Sequence, residues 1–250
     1  MISLIFFLGS AVLLGFTQAH GGVNNYTVGD TWYRGYNPDN APEDQDGMPW
    51  QVNRRWNSIN PIPDPSVLSM ACNDPGTAAV ASIPIEAGQD ISAIYYFWLH
   101  AIGPMVAWLA PCDGSCNSPS FNASAASWFK IGQRGLLSGG VVEGTWFQRE
   151  FQDWSGAPNI WTETIPKNLK PGEYLIRHEI ISLHIPNAPQ FYMQCANLRV
   201  TGKGNKLPGK KYLGTLPGVW RMDREFLRCF IVILKMGYCL RKETLLIRGL

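Results

Sequence analysis

A chain of 250 residues has the length of one β-sandwich domain, alone or with a tail. Of its 21 basic and 19 acidic residues, five basic and two acidic ones lie in residues 225–250, so the remainder carries 16 basic against 17 acidic residues. A nearly neutral body gives no reason to expect a nucleic acid or an anionic membrane as partner. With 46% hydrophobic residues, 25 Gly and 18 Pro, the composition favours an all-β fold with many turns.

The N-terminus carries an apolar run over residues 2–16 that ends in Thr17-Gln18-Ala19. The run is too short to span a bilayer, and small residues stand three and one before a cut after Ala19. The pattern predicts a secretory signal peptide over residues 1–19, although no Lys or Arg precedes the run. We therefore expect a secreted, extracellular protein whose six cysteines mostly pair.

Stretches rich in aromatic and β-branched residues, separated by turn residues, predict a series of strands. They are expected at residues 22–28, 78–86, 91–99, 105–110, 128–131, 144–151, 173–183 and 191–200. A long loop is expected over residues 37–60. Strands at this spacing are typical of a β-sandwich.

Five aromatic side chains lie in this loop or just before it. They are Trp32, Tyr33, Tyr36, Trp50 and Trp56. Either they pack locally over the core, or some of them form a flat exposed surface on which sugar rings stack. The residue pattern leaves both interpretations open.

Of the four histidines, His20 becomes the first residue of the mature chain if the cut follows Ala19. A terminal histidine offers an α-amino nitrogen and an imidazole nitrogen, which together chelate one metal ion. A second imidazole would complete a three-nitrogen site of the kind that favours copper(II). The alternative is that His20 is merely a terminus.

The spacing of His178 and His184 excludes a zinc-protease helix, which needs two histidines four residues apart. The flanking β-branched residues predict a strand, on which both histidines share a face with Ile180 and Ser182. We expect His178 to be a sheet histidine satisfied by a neighbour. His184 is expected at the strand's end, where sites begin.

The segment from Gln190 to Cys195 alternates, so that Gln190, Tyr192 and Gln194 share one face. A phenol and an amide on one face can serve as an axial metal ligand and a hydrogen-bonding group. An ordinary half-exposed strand would show the same pattern.

Several segments together resemble the fungal lytic polysaccharide monooxygenases of auxiliary-activity family nine, formerly glycoside hydrolase family sixty-one. They are His20, Leu99-His100-Ala101-Ile102-Gly103-Pro104, Trp108-Leu109-Ala110-Pro111-Cys112, Arg177-His178-Glu179-Ile180-Ile181-Ser182-Leu183-His184, and Gln190-Phe191-Tyr192 with Cys195. The resemblance covers residues 20–224. It implies an immunoglobulin-like or fibronectin-type β-sandwich with long surface loops and a flat substrate-binding face.

The resemblance also implies a role for each site residue. His20 would bind copper through its amino group and Nδ1, His100 through Nε2, and Tyr192 as a distant axial ligand. His184 and Gln190 would form the surrounding shell that positions an oxygen species.

The implied reaction is oxidative cleavage of cellulose or a related β-glucan, or of hemicellulose, at C1, C4 or both. It needs one copper ion, O2 or H2O2, and an external electron donor; the enzyme is expected to be a monomer. The alternative is a copper- or carbohydrate-binding protein of the same fold without oxygenase activity. A hydrolase would need two positioned carboxylates, and Glu179 has no evident acidic partner.

Two features depart from the family pattern. The second histidine usually stands two residues before the Gly of Gly-Pro, whereas His100 stands three before Gly103. Residues 225–250 change abruptly in composition and charge, which suggests a gene-model artefact such as a read-through intron.

The cysteines and sequons complete the predictions. Cys112 and Cys116 are close enough in sequence for a local bridge, and the resemblance implies the pair Cys72–Cys195. Cys229 and Cys239 in the tail have no assigned partner. The sequons place candidate glycosylation sites at Asn25 and Asn122.

Overall fold

The structure is a computed structural model that describes residues 20–152, 155 and 157–220; the predicted signal peptide and the tail from residue 225 lie outside this range. Eleven strands are found among the described residues. In chain order they are β1 (Val23–Val28), β2 (Thr31–Arg34), β3 (Ile83–Glu86), β4 (Asp90–Tyr95), β5 (Met105–Pro111), β6 (Phe129–Arg134), β7 (Leu136–Ser138), β8 (Thr145–Trp146), β9 (Asn159–Thr164), β10 (Gly172–Ser182) and β11 (Gln190–Thr201). One short α-helix, α1, covers Phe147–Phe151.

Nine strands form two sheets. One has the order β2-β1-β4-β9 and the other the order β3-β11-β10-β5-β6, while β7 and β8 form a separate ribbon. All pairs are antiparallel except β3 with β11. The inner faces of both sheets enclose one apolar core, to which β4 contributes Tyr95, β9 Trp161, β5 Leu109 and β10 Ile176. The β-sandwich expected from the strand spacing is confirmed.

The second sheet is covered on its outer face as well. A second apolar cluster there includes Trp108, Trp128, Leu175 and Leu216. For this reason nearly every residue of β10 and β11 is buried. The central strands are therefore covered on both faces, and polar residues that they carry, such as Arg177 and Gln194, are buried with the apolar ones.

The prediction of a strand over residues 144–151 is wrong for most of its length. Only Thr145 and Trp146 are extended, and helix α1 follows at once. Phe147 and Phe151 stack with ring centres 6.4 Å apart, as residues four apart on a helix do. The strand expected at 78–86 begins only at Ile83, and the one expected at 91–99 ends at Tyr95.

Strands β2, β7 and β9 were not predicted. Strand β2 is an edge strand in which only Tyr33 is partly buried, so no apolar alternation marks it. In β9 the inward-facing positions include Asn159 and Glu163. Polar residues at these positions hide the period-two pattern.

Two disulfides tie the outer cluster together, and they are the two pairs expected from the sequence. Cys72 bonds to Cys195 on β11 across 123 residues, and Cys112 bonds to Cys116 across four. Arg54 is buried beside them and donates to the carbonyls of Cys116 and Gly76. The segments around both bridges are thus also joined by hydrogen bonds.

We expect the two bridges to contribute unequally to stability. The entropy lost on cross-linking the unfolded chain predicts about 5 kcal/mol for Cys72–Cys195 and about 2 kcal/mol for Cys112–Cys116. Denaturant unfolding of two variants, each with one pair replaced by Ala, measures the difference. Equal losses would contradict the prediction.

His178 lies in the middle of β10, fully buried between the sheets. Its Nδ1 is 3.1 Å from the Tyr26 hydroxyl, and its ring meets Trp161 edge-on. The expectation of a sheet histidine satisfied by a neighbour is confirmed for Nδ1, whereas the buried Nε2 has no hydrogen-bond partner among the described residues. Burial lowers the pKa of His178 to about 3, so the folded protein holds it neutral.

This burial makes stability depend on pH. Between pH 6.5 and 3 the unfolded chain protonates His178 and the folded chain does not, so stability falls as the pH falls through that window. At pH 5 the loss due to His178 is about 2 kcal/mol. Denaturant unfolding of the wild type and of His178→Gln at pH 7 and pH 5 measures it. The prediction fails if both proteins lose the same free energy.

Candidate metal centre

Three segments that are distant in sequence meet at one end of the sandwich. They bring together His20, which precedes β1, His100, in the loop between β4 and β5, and Tyr192, near the start of β11. The ring of His20 lies 5.5 Å from the ring of His100 and 5.5 Å from that of Tyr192. Nε2 of His100 is 3.2 Å from the Tyr192 hydroxyl. The three side chains named from the sequence therefore converge.

The N-terminal segment reaches this position because it contains two glycines. A Cβ on Gly21 would lie 1.8 Å from the carbonyl oxygen of Phe97, and one on Gly22 would lie 2.6 Å from the Gln194 side chain. Such close approach of backbone to its neighbours requires glycine. The position of His20 is thus set by the close packing of Gly21 against Phe97 and of Gly22 against Gln194.

Two buried side-chain amides, those of Gln194 and Asn53, hydrogen-bond to the start of strand β1. Gln194 accepts the Val23 amide proton at 3.0 Å through Oε1. Asn53 donates to the Val23 carbonyl at 2.9 Å. Gln194 shares its strand face with Tyr192, so one face of β11 positions both the terminal histidine and the phenol.

The loop that carries His100 is held from outside by helix α1. Gln152 donates to the Leu99 carbonyl, and Gln148 donates to the carbonyl of Ile181 at 2.9 Å. Gly103 has a φ of +129°, and a Cβ there would lie 2.0 Å from the Ile181 carbonyl oxygen. The Gly-Pro turn after His100 is thereby pressed against the end of β10.

The electrostatics of the site favour neutral imidazole. Burial, with His184 and His20 nearby, lowers the pKa of His100 to about 4. His100 is therefore unprotonated at neutral pH, which is the form that binds a metal ion. Burial also raises the pKa of Tyr192, so the phenol keeps its proton.

His184 and Gln190 border this cluster, as the resemblance implied. The ring of His184 stacks on that of His100 with centres 4.2 Å apart and planes 14° apart. Strand β10 ends at Ser182, whose hydroxyl is 2.6 Å from Nδ1 of His184. The Tyr192 hydroxyl donates to Oε1 of Gln190 at 2.8 Å. All five site residues named from the sequence are thus neighbours.

Sequence reasoning missed Asn60, whose Oδ1 lies 3.2 Å from Nδ1 of His20. It belongs to the loop that joins β11 through the mutual backbone hydrogen bonds of Ile62 and Phe191. Nothing in the local sequence of Asn60 marks this contact. It also missed the contact of the Ser182 hydroxyl with Nδ1 of His184. The strand face that Ser182 was expected to share with His184 could have indicated this contact.

The aromatic residues of the 32–56 region mostly pack locally. Tyr36 and Trp56 are buried, and Trp50 stacks against Arg34 with the guanidinium 4.0 Å from the ring centre. Trp32 is 55% exposed, but it pairs with Thr27 on β1. Thr27 is seven residues from His20 along a largely extended segment, so Trp32 lies far from the site. The five rings therefore do not form one flat surface beside the site.

Glu179 is not available for hydrolysis. It forms a 2.7 Å ion pair with Arg177, and both side chains are fully buried. The indole nitrogens of Trp108 and Trp220 also donate to it. A carboxylate paired with a buried cation and two indole donors has a structural role and cannot transfer a proton to substrate.

The donors at the site suit copper. Among the described residues, no group of three His, Cys, Asp or Glu side chains could hold a metal ion. The cluster instead supplies two imidazoles and a phenol, so a third strong nitrogen must come from the backbone. The α-amino group that cleavage would free on His20 is such a nitrogen, and nitrogen ligands with a weak axial oxygen fit copper(II).

A family profile described as Auxiliary Activity family 9 (formerly GH61) matches residues 20–231. The chain belongs to this family. The match starts at His20 and runs past residue 224, where the composition had suggested that the resemblance ends.

Relatives and solved structures agree with this assignment. The AA9 family lytic polysaccharide monooxygenase B of Heterobasidion irregulare is 40% identical over 208 residues, which is 82% of each chain. Monooxygenase D of Thermothelomyces thermophilus is 37% identical over 218 residues, 84% of this chain and 82% of the relative. The crystal structure of HiLPMO9B superposes with a TM-score of 0.74 at 39% identity, covering 81% of this chain and 88% of that one. A cellulose-active polysaccharide monooxygenase from M. thermophila also gives 0.74, at 31% identity, over 83% of this chain and 90% of its own.

The protein is therefore a copper-dependent enzyme that cleaves cellulose or a related polysaccharide by oxidation. Its family consists of extracellular fungal enzymes. Within the described residues, no helix has the length and hydrophobicity needed to span a membrane.

The close contact at Gly103 leads to a prediction. Gly103→Ala should destabilise the protein by about 3 kcal/mol or more, because a Cβ would clash with a backbone carbonyl and the φ is left-handed. Gly114→Ala is the matched control, since Gly114 has a φ of +138° and no atom within 4 Å of its Cβ position. It should cost only about 1–2 kcal/mol. Thermal unfolding measures both, and equal losses would show that Gly103 needs no close approach.

Proposed function

We propose that the mature enzyme begins at His20 and holds one copper ion. The α-amino group and Nδ1 of His20, Nε2 of His100 and the Tyr192 hydroxyl would hold the ion. The observation that carries this proposal is the convergence of the three side chains, with Nε2 of His100 only 3.2 Å from the phenol oxygen. The start of the family match at His20 supports the cut after Ala19.

Cleavage changes the chemistry of the His20 nitrogen. In a peptide bond this nitrogen has no free lone pair for a metal ion, whereas an α-amino group with a pKa near 8 can bind one at neutral pH. Nδ1 of His20 lies 3.2 Å from Asn60 Oδ1 in the uncleaved chain. Binding through Nδ1 therefore requires this contact to be exchanged for the metal.

The residues around the ligands orient them and offer hydrogen bonds to an incoming oxygen co-substrate. Because Gln190 accepts the Tyr192 proton, the phenol oxygen directs its lone pairs away from Gln190. The carboxamide nitrogen of Gln190 remains a donor to an oxygen co-substrate. The Ser182 hydroxyl contacts Nδ1 of His184. Nε2 of His184 is therefore the ring nitrogen that remains for the oxygen co-substrate.

We assign to these two residues, Gln190 and His184, the positioning of O2 or H2O2. When bound, copper supplies the one-electron chemistry that side chains lack, with electrons from an external reductant. The residues of the chain bind and orient the reactants and supply hydrogen bonds.

The substrate is proposed to be cellulose, with hemicellulose as a second candidate, cleaved at C1, C4 or both by a monomeric enzyme. The cellulose-active neighbour from M. thermophila supports this choice. The exposed positions next to the metal centre, Asn60, His184 and Ile185, are polar or aliphatic. They are proposed to contact the polysaccharide in place of an aromatic platform.

Secretion exposes the two sequons to glycosylation. Asn122 is exposed and accepts hydrogen bonds from both the amide and the hydroxyl of Ser124. Asn25 is half-buried in β1 and contacts Asn24 and Gly35. Both remain proposed sites, and Asn122 is the more accessible.

We further propose that residues 225–250 are a gene-model artefact. The composition changes at residue 225, and the family match, which includes residues 225–231, leaves residues 232–250 outside. Sequencing the transcript tests this, and a spliced message that encodes the same tail would refute it.

The N-terminus provides the sharpest test of the copper site. A protein that starts at His20 should bind one Cu(II), and a matched protein with Ala19 retained should bind it at least about 100-fold more weakly, because the chelate is lost. Isothermal calorimetry measures both affinities. Equal affinities would overturn the proposed ligand set.

Products on cellulose test the activity of the same two proteins. With copper and ascorbate, the protein starting at His20 should release aldonic acids or C4-ketosugars, and the extended protein should not. Ordinary reducing ends alone would indicate a hydrolase. Copper binding without products would indicate a binding protein of the same fold.

A further inference from the structure

We propose that Trp98 is a positioning residue that orients His100 for the metal. This inference rests on the proposed role of His100 as a copper ligand. His100 stands three residues before Gly103, in the loop between β4 and β5, and Trp98 lies two residues before it.

The loop that carries His100 joins the sheet beyond His100, where the amides of Leu183 and Ile181 donate to the carbonyls of Ile102 and Pro104 at 2.9 Å. Strand β4 ends at Tyr95 and strand β5 begins at Met105. Gln148 of helix α1 donates to the Pro104 carbonyl, and Gln152, the residue after the helix, donates to the Leu99 carbonyl. These contacts lie on either side of His100 and do not reach its side chain.

Trp98 contacts His100 in two ways. Its indole Nε1 donates to the His100 carbonyl at 2.9 Å, which fixes the peptide that follows the ligand. Its ring also meets the His100 ring edge-on, with centres 5.3 Å apart and planes at 76°. A single buried side chain, 1% exposed, thus restrains both the backbone and the imidazole of His100.

The same indole also contacts the proposed axial ligand. Its ring lies 4.9 Å from that of Tyr192, at 87°. His100 is therefore enclosed by Trp98 on one side and by the stacked His184 ring, 4.2 Å away, on another. This enclosure leaves Nε2 directed at the phenol oxygen, where the metal is proposed to bind.

A restrained ligand side chain loses little rotamer freedom when the metal binds. Restraining the His100 ring therefore increases the affinity for the metal. The donor function needs the indole N–H, since a phenyl ring would fill space without donating. Trp98→Phe separates the hydrogen bond from the packing, and Trp98→Leu removes the aromatic ring as well.

Trp128 provides a matched control. It is also fully buried and also donates its indole proton to a backbone carbonyl, that of Ala123, at 2.9 Å. It belongs to the outer cluster, whereas Trp98 belongs to the core between the sheets. Trp128→Phe therefore removes an equivalent hydrogen bond away from the site.

The experiment measures Cu(II) affinity by calorimetry, the Cu(II) EPR spectrum and the thermal midpoint of proteins that start at His20. Trp98→Phe should weaken copper binding roughly tenfold and alter the nitrogen hyperfine pattern. Trp98→Leu should weaken it further. Trp128→Phe should lower the thermal midpoint and leave affinity and spectrum unchanged.

Two outcomes separate this inference from the proposed site. If Trp98→Phe binds copper as the wild type does, with an unchanged spectrum, Trp98 is only a core residue and the inference is wrong. If the wild type binds no copper, or if His100→Ala binds as tightly as the wild type, the copper site itself is wrong. Trp98→Phe keeps the ring, so it tests the inference even if Trp98→Leu does not fold.

Discussion

The antiparallel pairing of β10 with β11 is the constraint on which the rest of the structure depends. The ladder is continuous from Gly172 opposite Val200 to Ser182 opposite Gln190. It places Ser182, whose hydroxyl contacts His184, directly opposite Gln190, which accepts the hydrogen bond from the Tyr192 hydroxyl. A slip of one residue would turn Tyr192 and Gln194 to the outer face and dismantle the site.

The two imidazoles reach this ladder from segments outside the sheets, by close contact of backbone with side chain. His20 is brought in by a strand that Gln194 fastens, and its two following glycines admit Phe97 and Gln194 at distances that no Cβ would allow. His100 is brought in by a loop that α1 supports. The side chains of the proposed metal centre are thus brought together by contacts that do not involve a metal ion, which would reduce the entropy lost on binding.

Strand β10 also carries polar residues that resemble catalytic groups and are structural. His178 is neutral and enclosed between the sheets, and Glu179 is paired with Arg177 beneath Trp220. Only His184, two residues beyond the end of the strand, is exposed beside the site. The proposed site therefore lies at one end of the sandwich, while a histidine and a glutamate on β10 itself are buried in the fold.

The sequence by itself determined the central strands and the all-β class, and it predicted five site residues that the fold brings together. Long apolar runs and alternation are local properties, and His20 owes its importance to its place in the chain. Edge strand β2, the helix at Phe147–Phe151 and the polar inward positions of β9 escaped prediction, because tertiary contacts decide them. Only the tertiary structure decided how His100 is oriented, that Asn60 lies against His20, and that Trp32 stands away from the site. These are contacts between residues far apart in sequence, and no local pattern encodes the distance at which they meet.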